Sequence, residues 1–293
     1  MTLNADNKTI EYSVTSHKIS AANFVLICLL ASLVTVEKLG AADISQLFSK
    51  HNNSSNRLID HSDWDKLLKK YVKPGSDGVN YIDYGGWKKS GAKALKSYLD
   101  IMQAVDVTDY GRDEQFAYWV NLYNAMTIDT VLAHYPVKSI KDIDISPGLF
   151  SNGPWKKKIA TVKGTDLSLD DIEHVILRGL WKDNRVHYAV NCASIGCPNL
   201  ADTAFSGVNL NKMLDNAARN YVNNPRGVTL ARKKLRISKI YSWFSKDFGK
   251  NDKEIIIHLR KYADPKLSEQ LKKITDIDRY EYDWNLNEFK GQT

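Results

Sequence analysis

The sequence predicts a single folded domain in which a buried central helix is combined with amphipathic helices and short strands. Of the 293 residues, 43% are hydrophobic and 26% are charged, which is typical of globular proteins. Residues 114–135 place apolar side chains on every side of a helical wheel, so this helix is expected to be buried all round. No repeat, low-complexity tract or Pro/Gly-rich linker follows residue 43, so residues 43–293 are expected to form one domain.

The first 42 residues are expected to form a signal peptide or leader that precedes this domain. Residues 24–36 are 13 nearly continuous apolar residues, whereas a membrane-spanning helix needs roughly 20. That length is typical of a signal-peptide core, and residues 40–42 supply small side chains for cleavage. A buried helix or an uncleaved anchor is the alternative interpretation. The expected mature protein is periplasmic or secreted, with no stable membrane insertion after cleavage.

The remaining elements follow from side-chain periodicity and from residues that start or stop a helix. Ser62 is a plausible N-cap, Pro136 ends the central helix, and a turn cluster at residues 74–78 precedes a short extended segment. Helices are expected at residues 62–71, 90–105, 114–135, 168–180, 210–221, 253–262 and 265–274. Strands are expected at residues 79–82, 185–192, 228–230 and 235–241. The aromatic tail from Tyr282 is expected to pack back on the domain.

Polar residues within the predicted buried faces are candidates for a functional site. Asn121 and Asn124 share one side of the central helix, and Glu173 lies in the apolar sector of helix 168–180. His174 and Arg178 lie on the opposite, polar side of that helix. A buried amide must be hydrogen-bonded, and a buried carboxylate needs a partner. The two asparagines and Glu173 therefore either tie the fold together or line a site, and both interpretations stay open.

The densest cluster of reactive side chains is His187, Cys192 and Cys197. Three interpretations are open: the two cysteines form a disulfide, one cysteine is a nucleophile that His187 activates, or all three bind a metal ion. In a regular strand, positions 187 and 192 would lie on opposite faces. Pairing of His187 with Cys192 therefore requires a bulge or break in the strand. Otherwise the base must be a different residue, and His61 and His174 are the candidates.

Five segments closely resemble the family of the domain of unknown function 547: AYWVNLYNAMTIDTVLAHYPVKSI, GPWKKK, LSLDDIEHVILR, RVHYAVNCASIGCPNL and KIYSWFSKDFG. The resemblance to its bacterial secreted members extends to HSDWDKLLKKYV, VNYIDY and YEYDWNLN, and it covers about residues 58–290. It implies an α+β fold akin to papain-like cysteine peptidases and transglutaminase-like proteins, with helix 114–135 packed on a small antiparallel sheet. In that superfamily a cysteine usually opens the central helix, whereas this chain has Glu114 and Gln115 there.

The resemblance and the cysteine motif lead to the hypothesis of a cysteine-dependent hydrolase or transferase of the papain-like peptidase or amidase type in the cell envelope. It would act on an amide or γ-glutamyl bond of a small peptide, such as a peptidoglycan stem peptide or glutathione. Cys192 would be the nucleophile and His187 the base, with a backbone N–H near Ala193 or Ser194 for the oxyanion. The candidates for orienting the base are Asn121, Asn124, Glu173 and Asp247. Substrate contacts are expected from Asn124, Arg178, Asn191, Ser194 and Cys197.

The alternative hypothesis is a non-catalytic module that binds a small peptide or thiol-peptide and carries a Cys192–Cys197 disulfide. No cofactor or metal is expected for either function. The net charge of +7 suits an anionic substrate, although solvated lysine faces explain the same charge. Nucleic acid is not an expected partner, because the charge is scattered and no aromatic–basic stripe is present.

Overall fold

The computed structural model describes residues 40–148 and 152–291. Nearly all of the predicted leader, residues 1–42, lies outside the described residues, and the first described helix, Ala41–Ser49, begins within its last residues. Within the described part of the chain, none of the helices is both long enough and apolar enough to cross a membrane.

Helices and short strands both occur along the described chain, which confirms the α+β class. The helices are α1 Ala41–Ser49, α2 Ser62–Tyr71, α3 Tyr84–Ser90, α4 Ala92–Ala104, α5 Arg112–His134, α6 Arg178–Trp181, α7 Val186–Ala189, α8 Leu210–Val222, α9 Ile240–Trp243, α10 Ser245–Phe248, α11 Asp252–Tyr262 and α12 Pro265–Leu271. The strands are β1 Val72–Pro74, β2 Asn80–Ile82, β3 Ala160–Val162, β4 Thr165–Leu167, β5 Val228–Ala231, β6 Lys234–Ser238 and β7 Arg279–Glu281. A π-helical segment, Asp171–Leu177, leads into α6.

The central helix α5 forms the middle of the first hydrophobic core. It has 23 residues, and every residue from 114 to 128 is buried, which confirms the predicted burial on all sides. Its main packing partners are α3, α4, α8 and the π-helical segment. Buried residues of the antiparallel pairs β1–β2 and β3–β4 share this core, but no strand is among the main packing partners, so the predicted papain-like packing on a sheet is not confirmed. A helix that is apolar all round needs a shell on every side, and other helices supply most of that shell.

The three-stranded sheet belongs to a second hydrophobic core. Strands β5 and β6 are antiparallel, but β6 and β7 are parallel, so this sheet is mixed. Its buried side chains pack with those of α8 and α11. Helix α7 lies between the two cores, because Val186 and Ala189 belong to the first core and Tyr188 to the second. The residues that follow α7 are thus placed at the boundary between the cores.

Residues 185–192 do not form the predicted strand. Val186–Ala189 is a single helical turn, and the N–H of Val190 donates to the carbonyl of Val186 at 3.1 Å. Every residue from 186 to 191 is buried, so the alternation of side chains in this short run could not distinguish a strand from a helical turn. The expectation that positions 187 and 192 face opposite ways depended on the strand, and it no longer applies.

The predicted helix at residues 168–180 is present, but its middle is π-helical. The Asp171 carboxylate accepts a hydrogen bond from the N–H of Ser168 at 2.7 Å, and the Asp171 N–H donates to Ser168 Oγ at 3.1 Å. This reciprocal pair caps the start of the helix. π-Helical turns occur frequently at functional sites, and Glu173 lies in this one. The other predicted helices and strands are present, most of them with shifted ends. The helices α1, α3, α9 and α10 and the strands β1, β3, β4 and β7 were not predicted.

Candidate active site

One cavity combines reactive side chains with a wall of aromatic rings. It has a volume of about 230 Å³ and lies where the π-helical segment, α7 and the loop after α7 meet α9 and the C-terminal tail. Its acidic, histidine and cysteine side chains are Asp170, Glu173, His174, His187, Cys192 and Cys197. Its aromatic side chains are Tyr123, Trp155, Trp243, Phe244, Tyr282 and Trp284. Four predicted site residues, Glu173, His187 and both cysteines, therefore meet in one cavity.

The Cys192 thiol is surrounded by hydrogen-bond donors. Its Sγ lies 3.0 Å from the Tyr282 hydroxyl, 3.3 Å from Ser194 Oγ and 3.1 Å from Cys197 Sγ. The hydrogen bond from Cys197 lowers the pKa of Cys192, and those from Ser194 and Tyr282 act in the same direction, against burial. The thiolate is the nucleophilic form of cysteine, and a lowered pKa increases its population near neutral pH.

Cys197 is in the opposite situation. Its residue is only 4% exposed, and neither cysteine of the described chain is in a disulfide. Burial and the neighbouring Cys192 raise the pKa of Cys197 well above its usual range. The backbone N–H of Cys192 donates to Cys197 Sγ at 3.1 Å and lowers the pKa of Cys197, but burial and the neighbouring Cys192 outweigh this effect. The two cysteines are therefore chemically inequivalent, with Cys192 favoured as the thiolate and Cys197 as the thiol.

The loop that carries the cysteines is held in shape by Asn191. Its side-chain oxygen accepts from the N–H of Ala193 at 2.9 Å, and its amide donates to the carbonyl of Pro198 at 2.7 Å. Ala193 has a left-handed backbone with φ of 58°, which turns the chain back on itself. Asn191 therefore shapes the loop instead of lining the cavity as predicted. The Ala193 N–H, a predicted oxyanion donor, is engaged by this side chain.

His187 is held between two carboxylates. Its Nε2 lies 2.7 Å from Asp247 Oδ2, its Nδ1 lies 3.8 Å from Glu173 Oε1, and its ring stacks on Phe244 at 4.1 Å. The hydrogen bond from His187 holds the pKa of Asp247 well below its usual range, and that from Arg178 adds to this effect, against burial. Among the described residues, His187 makes no hydrogen bond with a cysteine.

Arg178 supports this arrangement from outside the cavity. Its Nε donates to Asp247 Oδ2 at 2.7 Å, and its guanidinium lies 4.8 Å from the centre of the Phe244 ring. The predicted role of Arg178 was contact with a substrate. In the structure it does not line the cavity, and it positions the carboxylate that binds His187.

Glu173 has the partner that its burial requires. Its Oε2 accepts a hydrogen bond from the Tyr123 hydroxyl at 3.1 Å, and its Oε1 lies 3.7 Å from His174 Nδ1. Burial raises the pKa of the nearby Asp170, with His174 acting against this rise and Glu173 adding to it. Within the described chain, no group of three or more His, Cys, Asp or Glu side chains is arranged to hold a metal ion.

The two asparagines of the central helix tie the fold together and do not line the cavity. Asn121 donates to the carbonyl of Phe205 at 2.8 Å and accepts from the N–H of Phe205 at 3.1 Å. Asn124 donates to the carbonyl of Ala189 at 2.9 Å and accepts from the N–H of Asn191 at 2.8 Å. Asn124 therefore fixes the end of α7 and the start of the cysteine loop from behind. All four hydrogen bonds of Asn121 and Asn124 therefore join parts of the fold, as the structural interpretation of these two residues predicts.

Several residues of the site were not among the predicted contacts. Asp247 was only one of four candidates for orienting the base, and Tyr282, Trp243 and Trp284 were not predicted to be near Cys192. The signals available were the motif KIYSWFSKDFG and the aromatic tail YDWNLN. The tail was expected to pack back on the domain, which is confirmed, but its sequence does not indicate the loop that it meets.

Replacing Tyr282 by Phe should raise the pKa of Cys192, because the thiolate loses one of its hydrogen-bond donors. The midpoint of the alkylation rate against pH is expected to rise by about half a unit to one unit. Iodoacetamide labelling of reduced protein over a pH series, with peptide mass spectrometry, measures this midpoint for Cys192. Tyr280→Phe is the matched control, because the Tyr280 hydroxyl lies 3.3 Å from Asp252 and not beside a cysteine. An unchanged midpoint in Tyr282→Phe would contradict this role.

The fold and the cavity together define an α+β protein with two inequivalent cysteines at a small aromatic site. Residues 107–222 match the family described as Protein of unknown function, DUF547. This match confirms, over these residues, the resemblance seen in the sequence motifs. The matched part includes α5, Glu173, His187 and both cysteines, but it ends before Asp247 and the C-terminal tail. No curated protein and no solved structure matches the chain.

Proposed function

We propose that this protein is a cysteine-dependent hydrolase or transferase, of papain-like type, that acts on amide or γ-glutamyl bonds of small peptides in the cell envelope. The observation that carries the proposal is the environment of Cys192. Its Sγ lines a cavity and has three hydrogen-bonding partners within 3.3 Å, which lower the pKa of Cys192. Cys192 and His187 line the same small cavity, so the nucleophile and the base that catalysis by cysteine requires are both present there.

His187 is the proposed base, and Asp247 is its orienting partner. An ionised carboxylate can only accept hydrogen bonds, so Nε2 of His187 donates to Asp247 across 2.7 Å. This leaves Nδ1 as the nitrogen that can take up a proton and later release it. Glu173 Oε1, 3.8 Å from Nδ1, would stabilise the imidazolium that forms.

The proposed reaction is acyl transfer through Cys192. The thiolate attacks the carbonyl carbon of the substrate, the C–N bond breaks, and the leaving amine takes a proton from His187. Water then cleaves the thioester in a hydrolase, or an acceptor amine does so in a transferase. Because His187 makes no hydrogen bond with Cys192 in the described chain, the bound substrate or a water would relay the proton between them.

The lining of the cavity supports a peptide segment that is neutral or carries an amine. The described residues that line it include Asp170 and Glu173 but no lysine or arginine. The net charge of +7 is therefore not a reason to expect an anionic group inside this cavity. The aromatic rings would pack on apolar parts of a peptide, and their faces attract an ammonium group. Stem peptides and γ-glutamyl peptides both carry a free amine.

A second candidate function is a non-catalytic small-peptide-binding module with a Cys192–Cys197 disulfide. The observation that favours it is the separation of 3.1 Å between the two Sγ atoms. Oxidation of the pair would remove the nucleophile and leave the aromatic cavity as a binding site. The two candidates differ in one measurable property, which is the reactivity of Cys192 in the exported protein.

Alkylation of the reduced protein tests the nucleophile directly. At about neutral pH, Cys192 is expected to react with iodoacetamide at least about tenfold faster than Cys197, because Cys192 is favoured as the thiolate and is partly exposed, whereas Cys197 is buried. Hydrolysis of γ-glutamyl-p-nitroanilide, glutathione and short peptides is then compared between wild type and Cys192→Ala. Activity should fall at least about a hundredfold in Cys192→Ala and far less in Cys197→Ala. Absence of selective alkylation at Cys192 would rule out the proposed nucleophile.

A further inference from the structure

We propose that Cys192 and Cys197 form a reversible dithiol–disulfide couple that exchanges with low-molecular-weight disulfides entering the cavity. The two Sγ atoms are 3.1 Å apart, and Cys192 is partly exposed whereas Cys197 is buried. This activity goes beyond amide chemistry, because it uses the second thiol, which acyl transfer through Cys192 does not need. It also differs from a structural disulfide, because the bond is made and broken at the site.

The loop is already folded for closure of the bond. The N–H of Cys197 donates to the carbonyl of Ser194 at 3.1 Å, and the side chain of Asn191 binds the backbone on both sides of the loop. The loop is further fixed to the tail, because Ile195 N–H donates to the carbonyl of Asn285 at 2.8 Å. Formation of the disulfide therefore orders little additional backbone. The loss of backbone conformational entropy is the main cost of joining two distant thiols, and here it is small.

The environments of the two thiols assign their order in the reaction. Cys192 accepts hydrogen bonds from Ser194 and Tyr282 and faces the cavity, so it is the attacking thiolate. Cys197 also lines the cavity but is only 4% exposed, and its Sγ lies 3.1 Å from Cys192 Sγ, so it is placed to attack a sulfur that is already bonded at Cys192. An exposed attacking thiolate paired with a shielded second thiol is the arrangement that two-step exchange requires.

The exchange balances with a symmetrical disulfide RSSR as the oxidant. The Cys192 thiolate attacks one sulfur of RSSR, its S–S bond breaks, and RS⁻ leaves, with a mixed disulfide on Cys192. The Cys197 sulfur then attacks the Cys192 sulfur, the mixed disulfide breaks, and the Cys197 proton passes to the second departing RS⁻. The protein dithiol is oxidised to the disulfide, and RSSR is reduced to two thiol equivalents.

The cavity limits the size of the exchange partner. Its volume is about 230 Å³, and Tyr282, Trp243 and Trp284 are packed against one another with ring centres 4.7–5.5 Å apart. Aromatic rings make favourable contacts with sulfur. A small disulfide such as oxidised glutathione can present its sulfur atoms to Cys192 there, whereas a disulfide within a folded protein would have to enter an enclosed space.

Titration of the full chain with mixtures of reduced and oxidised glutathione tests the couple. Acid quenching, alkylation and peptide mass spectrometry locate each bond and separate this pair from Cys28, the third cysteine of the sequence, which belongs to the predicted leader. Wild type is expected to form the Cys192–Cys197 disulfide as oxidised glutathione increases, and to lose it when reduced glutathione is restored. Cys197→Ser should trap glutathione on Cys192 at least about tenfold more than wild type. Cys192→Ser is the matched control, in which the buried Cys197 should gain little adduct.

Two outcomes would overturn the couple. One is a stable glutathione adduct on Cys192 of wild type, which would show that Cys197 does not resolve it. The other is two unmodified thiols in excess oxidised glutathione.

Asp247→Asn separates this proposal from the proposed amide chemistry. It should impair hydrolysis through His187 while the exchange continues, because neither residue takes part in the sulfur transfers. If Asp247→Asn lost the exchange while Cys192 could still be alkylated, the dithiol–disulfide couple would be overturned and the proposed amide chemistry would not.

Discussion

Lowering the pH from about 7.5 to about 4.5 is expected to reduce the free energy of unfolding by about 5 kcal/mol, because two buried histidines are neutral in the folded protein. Burial lowers the pKa of His61 and of His258 to about 4, from 6.5 for both. His61 Nδ1 pairs with the Tyr98 hydroxyl at 2.7 Å, whereas its buried Nε2 has no partner. His258 Nε2 pairs with the Tyr188 hydroxyl at 2.7 Å.

The direction of this change in the free energy of unfolding depends on whether the folded or the unfolded state binds more protons. Below about pH 6.5 the unfolded chain takes up a proton on each histidine, whereas the folded protein does so only near pH 4. The contribution of these two histidines to stability is therefore constant above this window and is lost as the pH falls through it. Burial raises the pKa values of Asp129 and Asp170, so these two carboxyls act in the opposite direction and reduce the loss.

Urea unfolding at both pH values measures this loss. His61→Gln and His258→Gln should each remove about half of it, even if either variant is less stable at the higher pH. His51→Gln, at an exposed position, is the matched control and should retain the wild-type dependence. If His61→Gln lost as much stability as wild type on acidification, the assignment of His61 as a buried neutral side chain would be wrong.

Removal of the Glu114 carboxylate should destabilise the protein by about 4 kcal/mol, because it bridges two backbone segments at the start of α5. Its Oε1 accepts from the N–H of Ile59 at 2.8 Å, and its Oε2 accepts from the N–H of Gly207 at 2.7 Å. Glu114 is 4% exposed. Gly207 permits the close approach, since a Cβ there would lie 2.9 Å from the Glu114 backbone nitrogen.

Chemical unfolding of Glu114→Ala and Glu114→Gln tests this bridge. The alanine variant leaves both N–H groups without their acceptor, whereas glutamine keeps one oxygen acceptor and should cost about half as much. Asp113→Ala is the matched control, because this neighbour is exposed in the same first turn and should cost less than about 1 kcal/mol. Equal losses for Glu114→Ala and Asp113→Ala would refute the bridge. The position at which a papain-like enzyme would carry its cysteine thus serves structure in this chain.

The elements that could be predicted from the sequence are those with only one physical interpretation. Every residue from 114 to 128 is apolar or paired in the core, and over that length no strand pattern fits. Strands β5 and β6 were predicted because two short apolar runs flank a tight turn. Helix α7 was predicted as a strand because its four residues are too few for either period to be distinguished, and both of its sides are buried.

The candidate site was predictable only where its residues lie close together in the chain. His187, Cys192 and Cys197 were identified from their spacing and their chemistry. Asp247 is 60 residues from His187, and Tyr282 is 90 residues from Cys192. Their positions depend on how the second core and the tail pack on the first, which no local pattern in the sequence encodes. Residue chemistry therefore predicted the reactive groups but not the groups that tune them.

The C-terminal tail is synthesised after the rest of the site, so the site is completed last. Residues 282–286 leave the ribosome after the whole of residues 107–222 has been synthesised. Until the carbonyl of Asn285 meets the N–H of Ile195 at 2.8 Å, Cys192 lacks the Tyr282 hydroxyl and the cavity lacks the Trp284 ring. Until then, Cys192 lacks the hydrogen bond with Tyr282 that helps to lower its pKa in the completed protein.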